Sequence, residues 1–195
     1  MATLILLSVV TNGSGDIETF KMLQDKSVNV NAKVKCSTTS LHDATQHGEV
    51  EIIELLLNHG ANINASTHTI QYPNDDATLC FAVYEGHVDF VKLLLDRGAN
   101  VNASVTPLGF AVKKGHVDIV KLLLDRGANV NASNNDDTPL GAAVYGGHVD
   151  IVKLLLDRGA NVNVSVTPLC VAVQKGHVDI VKLLLDRGAN AQIAK

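Results

Sequence analysis

Polar residues are scarce between Gly115 and Gly127. Val117, Ile119, Val120, Leu122, Leu123 and Leu124 are apolar, while Asp118, Lys121 and Asp125 fall at i, i+3 and i+7, one narrow stripe at helical period. An ordinary surface helix has a single apolar stripe. A helix of about three turns that is apolar on most sides needs cover on several of them, which like neighbours stacked on both flanks provide. The stretch Gly115–Asn129 (GHVDIVKLLLDRGAN) recurs letter for letter at Gly147–Asn161 and Gly176–Asn190, and with Phe90 for Ile at Gly86–Asn100. Looser copies stand at Gly48–Asn62 and Gly15–Asn29. Recurrence at a period of this size indicates a repeat architecture.

A second short segment precedes the later copies: Thr106–Gly115 (TPLGFAVKKG), Thr138–Gly147 (TPLGAAVYGG) and Thr167–Gly176 (TPLCVAVQKG). Thr is a good N-cap and Pro suits the first helical position. Leu, Ala and Val fill one face, and Gly ends the helix. The copied stretch then predicts a longer helix, with Asp118 and Arg126 complementing its dipole and Gly127 at a left-handed C′ position. The unit reads as turn, short helix, Gly-His corner, longer helix, Gly, then Asn-Val-Asn-Ala.

These residues resemble the ankyrin repeat family, whose signature runs T-P-L-x-x-A and then G-H-x-x-x-V-x-L-L-L-x-x-G-A-x-V-N-A. The resemblance covers almost the whole chain. It implies an all-α solenoid of stacked antiparallel helix pairs, with short irregular β-hairpin fingers on one side. It also implies a non-catalytic module that binds macromolecules on a concave face, and a corner His (His87, His116, His148, His177) engaged in local hydrogen bonding.

On this reading residues 1–195 form one domain, with repeats at about 1–32, 33–66, 67–104, 105–133, 134–164 and 165–195. The apolar start, MATLILLSVV, lacks a basic n-region and is expected to be the first helix of repeat one. The next helix, Asp16–Asp25, is more polar, as a capping repeat requires. Repeat two keeps the family's His in Thr39-Ser40-Leu41-His42-Asp43-Ala44. Gly48 and Gly86 are 38 residues apart, against a usual period of about 33, and the excess, Ser66–Asp76, predicts a long finger. The following helix start, Ala77-Thr78-Leu79, is poorly capped. Only 29 residues separate Gly86 from Gly115, and Gly147 from Gly176, so those fingers are clipped. After the last copy the chain reads GANAQIAK. Either Ala191–Lys195 covers that flank, a partner or second copy does, or the natural protein continues as a larger effector.

Composition changes this picture little. Apolar residues make up 46% and charged ones 18%, as in a packed globular protein. A net charge of −4 gives no footprint for nucleic acid or for a membrane surface. Cys36, Cys80 and Cys170, odd in number and scattered, indicate reduced thiols in an intracellular, cytoplasmic setting. Cys80 and Cys170 stand where the family has His, as small hydrophobes. The His row lacks ligand spacing, and no nucleophile motif or phosphate loop is present. No enzyme activity, metal or cofactor is expected.

The informative positions are those that vary between otherwise identical repeats. Before each corner Gly stand Gln46-His47, Tyr84-Glu85, Lys113-Lys114, Tyr145-Gly146 and Gln174-Lys175. In the family these positions line the concave face beside the fingers, where Ser104, Val105, Asn134, Asn135, Asp136, Asp137, Ser165 and Val166 would complete a partner-binding strip. Tyr is enriched in hot spots and Lys is depleted, so the lysines are expected to steer an acidic partner rather than anchor one. The Asp118, Lys121 and Asp125 stripe reads as a solvated outer face. Asn64, Asn102, Asn131 and Asn163 each follow a Leu by eight residues. That context is similar to the one in which ankyrin asparagines are hydroxylated; the plainer reading is a buried Asn bonding the turn backbone.

Overall fold

The computed structural model describes residues 29–33, 38–67, 76–103, 106–133, 138–164 and 168–190. The expected first repeat, including Asp16–Asp25, lies almost wholly outside them. The chain divides into two compact units, Met1–Val105 and Thr106–Lys195.

In the first unit, α1 (Ser40–His47) pairs with α2 (Val50–Asn58), and α3 (Thr78–Glu85) pairs with α4 (Val88–Asp96). Two short strands, β1 (Ser66–Thr67) and β2 (Asp76–Ala77), run antiparallel with Ser66 opposite Ala77 and Thr67 opposite Asp76. They bracket the long insertion. Helices α1 and α3 pack on each other.

In the second unit the pairs are α5 (Pro107–Lys114) with α6 (Val117–Asp125), α7 (Pro139–Gly146) with α8 (Val149–Asp157), and α9 (Pro168–Lys175) with α10 (Val178–Asp186). Short helices stack on short ones, α5 on α7 on α9, and long ones on long ones, α6 on α8 on α10. Eight residues against nine is a small difference in length.

The pair α7 and α8 shows what a repeat hides when it has a neighbour on each side. Leu140, Ala143 and Val144 from α7 meet Ile151, Val152 and Leu155 from α8, all buried. Each large aliphatic side chain so buried contributes roughly 1.5–3 kcal/mol, and Ala143 lets the short helices come close. Thr138 caps α7, its hydroxyl accepting from the Gly141 N–H at 3.1 Å, and Pro139 takes the first helical position. Where Ala77-Thr78 replaces Thr-Pro, Thr78 opens α3 in the place of Pro, and its buried hydroxyl has no hydrogen-bond partner among the described residues.

The corner needs glycine twice over. Gly147 has φ +72°, and a Cβ there would lie 2.8 Å from Cε1 of His177 in the next repeat. The corner histidines therefore pack as rings on the preceding repeat's glycine, as His148 does on Gly115. None of them makes a side-chain cap bond. The ring nitrogens His116 Nε2 and His177 Nε2 are buried without a hydrogen-bond partner among the described residues. This corrects the expectation of local hydrogen bonding: the ring fills the space that Gly leaves. Gly127, at φ +85°, ends α6 in the left-handed conformation read from the sequence.

Candidate functional site

The variable pairs occupy the last turn of each short helix. Gln46, His47, Glu85, Lys113, Lys114, Tyr145, Gln174 and Lys175 are exposed, and Tyr84 is half-buried. Because short helices stack within each unit, these turns form one row per unit: Gln46-His47 beside Tyr84-Glu85 in the first, and Lys113-Lys114, Tyr145-Gly146 and Gln174-Lys175 in the second. The finger residues Ser104, Val105, Asn134, Asn135, Asp136, Asp137, Ser165 and Val166 lie outside the described residues.

One contact in the second row was not legible in the sequence. Lys175 Nζ sits over the Tyr145 ring, 4.0 Å from its centroid, within cation–π range. Lys175 holds in its repeat the place that Gly146 holds in the one before, and a Cβ at Gly146 would lie 2.6 Å from His148 Nε2. In the first row, the His47 Nδ1–H donates to the Asp43 carbonyl at 2.8 Å. Burial pushes the Asp43 carboxyl above its usual range, with the His47 charge partly opposing the rise.

His42 is buried and fully employed. Its Nδ1 accepts from the Thr39 N–H at 3.2 Å, and its Nε2 faces the Ala65 carbonyl at 3.1 Å. The proton is therefore on Nε2, and a neutral ring ties α1 to the chain leaving α2. Cys80, buried, and Cys170, half-buried, stand at that helical position in other repeats and are not joined in disulfides.

The asparagines form ladders that single-repeat reading misses. Asn131 donates its N–H to Asn129 Oδ1 at 3.0 Å within its own turn. Its Oδ1 accepts from the Asn161 N–H at 2.8 Å, and its Nδ2 donates to the Gly159 carbonyl at 3.3 Å. Asn163 repeats the pattern onto Asn190 and Gly188, and Asn31 onto Asn62 and Gly60. Asn64, Asn102, Asn131 and Asn163 are exposed, which corrects the reading of a buried Asn. Asn64, Asn131 and Asn163 bond the turn backbone from the solvent side.

A second ladder runs beside the charged stripe, whose Asp118, Lys121 and Asp125 are exposed as expected of a solvated face. Asp125 and Asp157 end their helices, where a negative charge opposes the dipole. Arg158 meets Asp125 at 2.9 Å, and Arg187 meets Asp157 at 2.7 Å, each arginine coming from the next repeat.

A shallow open groove of about 320 Å³ lies at the corner, lined by Gly115, Val117, Gly147, His148, Val149, Asp150 and Ile151, and includes none of the strip residues. Among the described residues no three His, Cys, Asp or Glu side chains gather as metal ligands, and no helix is long and apolar enough to cross a membrane. The strip can offer a ring face, ammonium groups and amides to a partner's surface.

Comparisons agree with this architecture. A family model described as ankyrin repeats (3 copies) matches residues 5–105, 79–166 and 133–195. Delta-latroinsectotoxin-Lt1a of Latrodectus tredecimguttatus is 35% identical over 60 residues, which are 31% of this chain and 5% of that protein; the chain thus spans a small part of that relative. The crystal structure of the human ASB11 ankyrin repeat domain aligns at a TM-score of 0.83 and 31% identity, covering 97% of this chain and 86% of that one. With repeat models matched along nearly all of its length, the chain belongs to the ankyrin repeat family, all-α solenoids that generally serve as non-catalytic protein–protein interaction modules.

Proposed function

We propose that this chain binds a protein partner along the last turns of its short helices, with Tyr84, Tyr145 and the lysines Lys113, Lys114 and Lys175 as principal contacts. The supporting observation is where the repeats differ. The nine residues VDIVKLLLD are unchanged in α6, α8 and α10, while the exposed short-helix ends change from repeat to repeat. Packing accounts for the buried Ile, Val and Leu of the first; the second is free to be shaped by a partner. A preformed surface of this kind loses little freedom on binding.

The test is affinity capture from lysate, followed by calorimetry with the purified binder. Tyr84→Ala with Tyr145→Ala is expected to weaken binding about 30-fold, roughly 2 kcal/mol, with the melting temperature nearly unchanged. An unchanged Kd would remove the strip from consideration.

Self-association is the second reading, motivated by Val173 and Val178, both 62% exposed on the last helix pair. Light scattering across a concentration series separates the two: a mass that rises with concentration favours self-association, and a constant monomer mass excludes it.

A further inference from the structure

We infer that the row in the second unit is selective for an acidic, extended segment of a protein, with the Tyr145–Lys175 pair as its anchor. This inference rests on the strip being the binding site and names the chemistry of what it takes.

The sign of the charge is the first indication. The chain carries a net −4, yet the described short helices of the second unit contain no Asp or Glu and end in Lys113, Lys114 and Lys175. The acidic pair Asp136-Asp137 precedes the opposite, N-terminal end of α7 in sequence. Dipole complementarity at helix C-termini favours lysine there, but it does not require it. The same place holds Glu85 in α3 and Gly146 in α7.

Order is the second. A surface lysine surrenders close to its full rotamer freedom when it binds, which is why it steers more often than it anchors. Lys175 is different, because its ammonium already rests on the Tyr145 ring at 4.0 Å. The contact uses one side of the ammonium and leaves its remaining N–H groups to donate to a carboxylate. Tyr145, 63% exposed, offers apolar ring surface beside that charge. The expectation that the lysines only steer is thereby modified for Lys175.

Spacing is the third. Stacked helices lie about 8–10 Å apart, so the step from the Lys113-Lys114 end to the Lys175 end is about 16–20 Å. An extended chain rises about 3.3 Å per residue. A segment of about six residues with acidic side chains at both ends bridges the row, its middle crossing the ring.

The test uses fluorescein-labelled octaglutamate as probe, octalysine as sign control, and an oligothymidylate of similar charge as the competing polyanion. Octaglutamate is expected to bind, to weaken with added salt, and to shift the amide resonances of Tyr145 and Lys175. Lys175→Ala should lose at least about five-fold in affinity, and the triple Lys113→Ala, Lys114→Ala, Lys175→Ala change at least about 30-fold. Tyr145→Leu should lose several-fold while Tyr145→Phe does not, since only the former removes the aromatic face. No octaglutamate binding, tighter binding of oligothymidylate, or equal affinity of the Tyr145→Leu variant each overturns the inference. If a captured protein partner depends on Tyr84 and Tyr145 but octaglutamate does not bind, the strip stands and the acidic selectivity falls.

Discussion

Helices α8 and α10 are the same nine residues in two surroundings. Ile151 and Leu155 in α8, and Ile180 and Leu184 in α10, are all buried, because their own short helix and the preceding repeat cover that side. Cover on the other side of α8 comes from the succeeding repeat. Val152 is buried and its counterpart Val181 is half-buried, and Leu185 is exposed where Leu156 is half-covered. The short helices differ more: Val144 in α7 is 0% exposed and Val173 in α9 is 62% exposed. Identical letters thus define the helix and one of its contacts, while the neighbour defines the rest. That is the meaning of stability as a sum of repeat and interface contributions.

The comparison can be broken at several points. Leu155→Ala, in the doubly covered helix, is expected to cost about 2–5 kcal/mol in chemical denaturation. A negligible loss would mean that α8 is not a core element. Val144→Ala should cost about 1.5–3 kcal/mol and Val173→Ala less than about 0.5, and equal losses would show that the flank is covered in solution. Asn131→Ala removes two bonds to the next repeat, each worth about 0.5–1.5 kcal/mol, so about 1–3 kcal/mol should be lost from the coupling of that pair to the next. Hydrogen exchange needs no substitution. The two helices share one sequence, so their intrinsic exchange rates match. Amides of α10 should exchange at least about ten-fold faster than those of α8, about 1.4 kcal/mol of local opening. Smallest of all, Arg187→Ala should change stability by well under about 1 kcal/mol, less in high salt, because the pair with Asp157 is partly exposed.

Most of the fold was legible because it obeys local rules. Thr138 and Pro139 start α7, Gly147 turns the corner, and Gly127 ends α6, each for a reason confined to a few neighbouring residues. The extra length was legible from the excess residues between Gly48 and Gly86, and β1 and β2 bracket it. Sequence reading missed the contacts between repeats. The Asn131 carboxamide finds Asn161 and Gly159, Arg187 finds Asp157, and Lys175 finds Tyr145, partners about one repeat away that no local pattern marks. The corner histidines misled for the same reason, since His177 acts on Gly147 of the preceding repeat rather than on its own turn. The row of candidate binding residues was placed by comparing repeats with one another, which identifies where a partner could write its preferences but gives no name for it.

The asparagine ladder has a consequence for how such a gene can change. The bond from Asn Oδ1 to the next repeat's Asn N–H joins residues 31, 36, 30 and 27 positions apart in four instances among the described residues. It is made each time although the loops it brackets differ in length. Codons inserted or deleted whole in those loops leave the seam between helix pairs untouched. Unequal recombination within the coding sequence can therefore lengthen or trim a finger, or copy a whole unit, and still yield a chain that stacks.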